Sequence, residues 1–79
     1  MLSDVMENKI ADIFSSLFGR KISPDADFSM ENQSDWDSMK HIEIIMTLED
    51  ELNISFEAGD IPNMTSLAEI IAKVKAMQA

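Results

Sequence analysis

Residues 37–52 read Asp37-Ser38-Met39-Lys40-His41-Ile42-Glu43-Ile44-Ile45-Met46-Thr47-Leu48-Glu49-Asp50-Glu51-Leu52, and this stretch decides the fold. It holds no Gly and no Pro, and Asn53 follows as a stop. The spacing predicts a helix over Ser38–Leu52. On a wheel at roughly 100° per residue from Ser38, His41, Ile44, Ile45, Leu48 and Leu52 fall between about 240° and 340°, an arc suited to a core. Ile42, Met46 and Met39 fall between about 40° and 100°, with Glu49, Asp50 and Glu43 inside or beside that second stripe. The helix thus carries one apolar stripe more than simple amphipathicity requires. Either a small bundle wraps the helix on two sides, or the surplus stripe is a docking strip. Methionine repacks against different partners and carboxylates steer approach, so both its ingredients suit docking.

Working outward, Met6, Ile10, Ile13, Phe14 and Leu17 recur at steps of three and four, predicting a first helix over about Asp4–Phe18. Ser3 is placed to cap it and Gly19 to end it. Between Arg20 and Asp37 the periodicity fails, and Pro24, Ser, Asp and Asn dominate. This is a long ordered loop pinned by Ile22 and Phe28, and loops of this length in small domains are often functional. After the central helix, Ile54-Ser55-Phe56 is too short and partnerless for a sheet. Glu57–Ile61 can form one helical turn before Pro62 stops it. A last helix starts at Thr65 or Ser66, where Ser66-Leu67-Ala68-Glu69 fits a capping box, and its face is Leu67, Ile70, Ile71, Val74 and Met77. The expected fold is all-α: a small four-helix bundle of three longer helices and one short one, with a long loop between helices 1 and 2.

Seventy-nine residues allow a single domain, residues 1–79, with a thin core and no two-domain cleft. The absence of Cys removes disulfides, thiolate metal sites and cysteine nucleophiles together. The start of the chain lacks the basic and apolar regions of a signal peptide, and nothing approaches a membrane span, so a cytoplasmic location is expected. A net charge of -9 repels nucleic acid and anionic lipid and makes basic protein surfaces the natural partners. That charge is uneven. Asp35–Asp60 holds eight acids and one Lys, whereas the remaining residues are nearly balanced. Glu49-Asp50-Glu51 places anions at a helix C-terminus, where the macrodipole disfavours them, which points to recognition rather than stability.

Ser38 has three readings: a polar residue competing with Asp35 or Asp37 for the helix cap, a nucleophile, or a substrate. A nucleophile needs a base, and the single His, His41, lies on the core-facing arc with no oxyanion glycines near. Asp25-Ala26-Asp27-Phe28-Ser29 begins like a calcium loop, but Met30 and Trp36 stand where a Gly and a bidentate Glu are required. As a substrate, an exposed hydroxyl at a helix N-terminus can carry a phosphoryl-linked group, held by free N–H groups and the positive dipole end.

At these residues the sequence resembles the acyl carrier protein family. The match is Asp37-Ser38-Met39, read as the D-S-[L/M] attachment motif, and the acidic helix from Ile42 to Leu52 behind it. Ile54, Phe56, Ile61 and the helix start at Thr65 also sit where the family pattern places them, so the resemblance spans nearly the whole chain. It implies a carrier rather than an enzyme. A phosphopantetheinyl transferase would move 4'-phosphopantetheine from coenzyme A onto Ser38, and acyl or aminoacyl groups would ride on the arm's thiol as thioesters. Asp37, Met39, Ile42, Glu43, Met46, Glu49 and Asp50 would contact acyl-loading and acyl-processing enzymes through their basic surfaces, with the chain acting as a monomer. Met39 followed by Lys40-His41 departs from the Leu-then-acid of fatty-acid synthesis carriers, and Trp36 resembles stand-alone carriers of specialised pathways. The implied setting is a lipid, polyketide, peptide or cell-surface pathway; D-alanyl carriers often read Asp-Ser-Met. The alternative is an acidic helical adaptor with no prosthetic group.

Overall fold

The computed structural model describes residues 2–78, with side chains from Val5 onward. Three α-helices, α1 (Leu2–Phe18), α2 (Ser38–Leu52) and α3 (Leu67–Gln78), are joined by the long loop and by a segment containing a 3-10 turn, Ile61–Asn63. Among the described residues there is no strand. α1 packs against both α2 and α3.

The periodic faces become the core. Ile10, Ile13 and Phe14 of α1, Ile44, Ile45 and Leu48 of α2, and Leu67, Ile70, Ile71 and Val74 of α3 are buried together. Met6, Leu17, Leu52 and Met77, at the ends of these faces, are half-buried against them. Full burial of a side chain such as Leu48 contributes about 1.5–3 kcal/mol, so these three faces carry most of the stabilisation of a small domain. Helix ends follow local chemistry. Gly19 takes φ +69° after α1, and Arg20 N–H donates to Ser15 O at 3.2 Å. Asn53 ends α2 in the left-handed region at φ 55°, and Ile54 N–H donates to Glu49 O. Ser66 Oγ accepts from Glu69 N–H at 3.1 Å, the forward half of the expected capping box, while Glu69 reaches back to Thr65 N–H.

Two expectations change. α1 begins at Leu2, so Ser3 lies inside the helix rather than at its cap, and its side chain is outside the described residues. The fourth, short helix is reduced to the three-residue 3-10 element Ile61–Asn63 and lies later than Glu57–Ile61. Residues 57–60 form a turn closed by Asp60 N–H to Glu57 O, and the three-residue 3-10 turn follows with Pro62 inside it. Proline's fixed φ and missing N–H suit the first turn of a helix, so Pro62 helps start this element instead of stopping one.

The loop of residues 19–37 is held more firmly than its sequence indicates. Ile22 and Phe28 are buried as expected, and Trp36 joins them at 2% exposure. Phe14, Phe18, Phe28 and Trp36 form a cluster, with Phe18 edge-on to Phe28 at 4.8 Å and Phe14 edge-on to Trp36 at 5.4 Å. Across the fold, Ser29 and Ser66 form an isolated antiparallel bridge. Met30 N–H donates to Thr65 O at 2.9 Å and Leu67 N–H to Phe28 O at 2.8 Å, tying the loop to the start of α3. The loop therefore presents α2 from a fixed frame.

Candidate functional site

Ser38 is the first residue of α2, and its side chain is exposed. The competition for the helix cap is resolved in favour of Asp37, whose Oδ1 accepts from Lys40 N–H at 2.8 Å. Among the described residues no group hydrogen-bonds to Ser38 Oγ. The hydroxyl is thus spared from capping by the residue before it, and stands at the positive end of a 15-residue helix. An open groove lies beside it, walled by Met30, His41, Ile42, Ala58, Ile61, Pro62 and Thr65. An exposed hydroxyl, a helix N-terminus and a mostly apolar groove fit a phosphodiester-linked arm.

The segment before Ser38 is clamped. Arg20 donates to both Asp35 oxygens, at 2.8 and 3.3 Å, and to Gln33 Oε1, while its guanidinium lies over Phe28 and Phe18 at 5.3 and 5.4 Å. The Arg20 hydrogen bond holds the Asp35 carboxyl below the usual carboxylate range. From the other side, Lys40 Nζ donates to Leu17 O at the end of α1 and pairs with Glu43 at 3.1 Å. Both cations anchor the start of α2 to α1 and the loop.

His41 is buried and fully engaged. Trp36 Nε1–H donates to its Nδ1 at 3.1 Å, and its Nε2 lies 2.8 Å from Ile61 O. An indole N–H only donates, so Nδ1 presents its lone pair and Nε2 carries the proton given to Ile61. Neither nitrogen is available to Ser38, which removes the base a nucleophilic serine would need. Trp36, one of the few large apolar residues of the loop, was the sequence signal for this arrangement; the bond to His41 was not legible.

The surplus stripe of α2 faces solvent. Met39, Ile42 and Met46 are 80%, 57% and 63% exposed, and only Val5 among the other large apolar side chains described is comparably open. The two-sided bundle is thereby overturned for this stripe. Asp37, Glu43 and Asp50 are exposed beside it. Glu49 differs: it is half-buried, and its Oε2 accepts from Phe56 N–H at 2.8 Å. That bond gives this C-terminal anion a structural use and braces the segment leaving α2. Asp50 has no ion-pair partner among the described residues.

The site is thus an exposed hydroxyl at a helix start, adjoined by a solvated apolar strip with an acidic rim. The family model described as "Phosphopantetheine attachment site" matches residues 8–74. A curated "Acyl carrier protein" from Lactobacillus johnsonii is 31% identical over 81 residues, spanning 99% of this chain and 99% of its own length. The chain belongs to the acyl carrier protein family, whose members are carriers and not catalysts, and the phosphopantetheine attachment domain makes 4'-phosphopantetheine its prosthetic group. No helix among the described residues is long and apolar enough to cross a membrane.

Proposed function

We propose that Ser38 is the attachment residue and that the chain is a stand-alone carrier delivering acyl or aminoacyl groups to enzymes that dock on the exposed strip of α2. The observation that carries this reading is the Ser38 hydroxyl, solvent-exposed at the N-terminus of a helix and, among the described residues, free of hydrogen bonds. In attachment, a phosphopantetheinyl transferase brings coenzyme A to this face. Ser38 Oγ gives up its proton and forms the new O–P bond as the pyrophosphate linkage of coenzyme A breaks, releasing adenosine 3',5'-bisphosphate. The arm supplies a thiol on which acyl groups ride as thioesters, and with no Cys in the sequence it is the only thiol. Asp37 holds the helix start in register, and the exposed N-terminal end of α2 favours the phosphodiester charge. Met39, Ile42 and Met46 offer an adaptable apolar surface, with Asp37, Glu43 and Asp50 steering basic partners; Glu49 contributes its charge from a braced position. The setting proposed is a lipid, polyketide, peptide or cell-surface pathway, on the strength of Trp36 and of Met39-Lys40-His41 after the attachment serine.

Mass spectrometry tests the attachment. The apo chain incubated with coenzyme A and a promiscuous transferase gains the mass of one arm, and Ser38→Ala gains nothing while melting like the parent. No gain in the parent, or a gain that survives Ser38→Ala, refutes the assignment; an adaptor without prosthetic group gives the first result.

A further inference from the structure

An apolar acyl chain tethered beside Ser38 would leave water in proportion to the apolar area it can bury, so the ground beneath the start of α2 decides which cargo is suited. The floor of the groove next to Ser38 is the His41 imidazole, itself only 8% exposed. Behind it the Trp36 ring lies stacked at 5.9 Å and donates its indole N–H to Nδ1. From the other nitrogen, His41 reaches Ile61 O at 2.8 Å and so ties α2 to the 3-10 turn across the groove. Beyond this pair, Phe14 meets Trp36 edge-on, and Phe14, Ile44, Leu48, Leu67 and Ile70 are completely buried. A chain entering past His41 has to part the hydrogen-bonded aromatics, stranding a buried donor and an acceptor, and then displace side chains that are completely buried.

Resting on the carrier reading above, we propose that Trp36 and His41 form a plug that sets the class of cargo. The plug keeps alkyl chains out of the helical interior and leaves them the open groove, which suits short acyl or aminoacyl groups. Met30, Ile42, Ala58, Ile61 and Pro62 cover the first few carbons of such a group; a longer chain continues into water. Trp36 and His41 are specificity-determining residues in this scheme.

The test loads the apo chain by transferase from acetyl-, butanoyl-, octanoyl- and dodecanoyl-coenzyme A, checks each product by mass, and reads two properties. Thermal midpoints of the wild-type series level off after butanoyl, within about 2 °C. The emission maximum of Trp36, the only tryptophan in the sequence, stays fixed across the series. In His41→Ala the floor is opened, and the octanoyl form melts about 4–8 °C above the acetyl form. A wild-type midpoint that climbs through dodecanoyl, or a Trp36 emission that shifts with chain length, overturns the proposal whether or not the variant folds. A folded His41→Ala whose series stays level overturns the assignment of the plug to this pair. Failure to gain mass from any coenzyme A ester is a different result: it refutes the carrier reading itself, and the cargo inference with it.

Discussion

Replacing His41 by Leu keeps apolar bulk at the floor of the groove but removes both hydrogen bonds of the imidazole. Trp36 Nε1–H, on a ring that is 2% exposed, loses its acceptor, and Ile61 O loses its donor. A stranded buried polar group costs about 1–3 kcal/mol. Ile61 is half-buried, so water reaches its carbonyl in part and that cost falls at the low end. The expected loss is about 2–4 kcal/mol, set against a total stability of roughly 4–12 kcal/mol for a chain of this length. Urea unfolding followed by circular dichroism measures it. Trp36→Phe removes only the donor and leaves Nδ1 unpartnered, costing about 1–3 kcal/mol with some added loss of packing. The double variant discriminates best, because with both partners gone neither the indole N–H nor Nδ1 is stranded. It should cost less than the sum of the single changes by about 1 kcal/mol or more. Additivity within about 0.5 kcal/mol, or a His41→Leu protein as stable as the parent, would refute the coupled pair and return His41 to a plain packing role.

Three further outcomes follow from the same contacts. Asp37→Ala should lose about 1 kcal/mol in chemical denaturation with Asp37→Asn nearly unchanged, since Asn retains the cap acceptor for Lys40 N–H; equal losses would show that the carboxylate charge, not the cap, is what matters. Met46→Ala should leave stability within about 0.5 kcal/mol while slowing transferase loading, whereas Leu48→Ala, two residues on and fully buried, should cost about 2–5 kcal/mol. Asp50→Lys should weaken the salt dependence of loading without lowering the melting point, but Glu49→Lys should lower the melting point too, because Phe56 N–H loses its acceptor.

Acid pH probes the loop clamp. The Arg20 hydrogen bond lowers the folded Asp35 value below the ordinary 3.8 of the unfolded chain. Its stabilisation is therefore complete above that value and lost as pH falls through the lowered folded one. Arg20→Ala should flatten this part of the acid limb in a series of denaturation midpoints taken from about pH 6 to pH 2. A variant whose acid limb matches the parent would show that the ion pair contributes nothing there.

What the sequence determined by itself is what local spacing controls. Helix faces repeat every three or four residues, so Ile10, Phe14, Ile44, Leu48, Ile70 and Val74 announced their side of the core; Gly19 and Asn53 marked helix ends through their backbone preferences and Ser66 a helix start through its side-chain oxygen. Asp37-Ser38-Met39 before an acidic helix was legible for the same reason: the motif is contiguous. Tertiary structure alone decided which stripe of α2 meets the other helices, because a wheel shows two apolar arcs without saying how many neighbours there are to cover them. It also decided that Glu49 braces Phe56, that Arg20 clamps Asp35, and that His41 joins Trp36 to Ile61. These partners lie 7, 15 and 20 residues apart, counting His41 to Ile61 for the last, and only closure of the loops brings their donors and acceptors within reach. Pro62 failed as a stop signal because proline's rigid φ and missing N–H suit the opening of a helical turn, and it sits at the start of the short 3-10 element Ile61–Asn63.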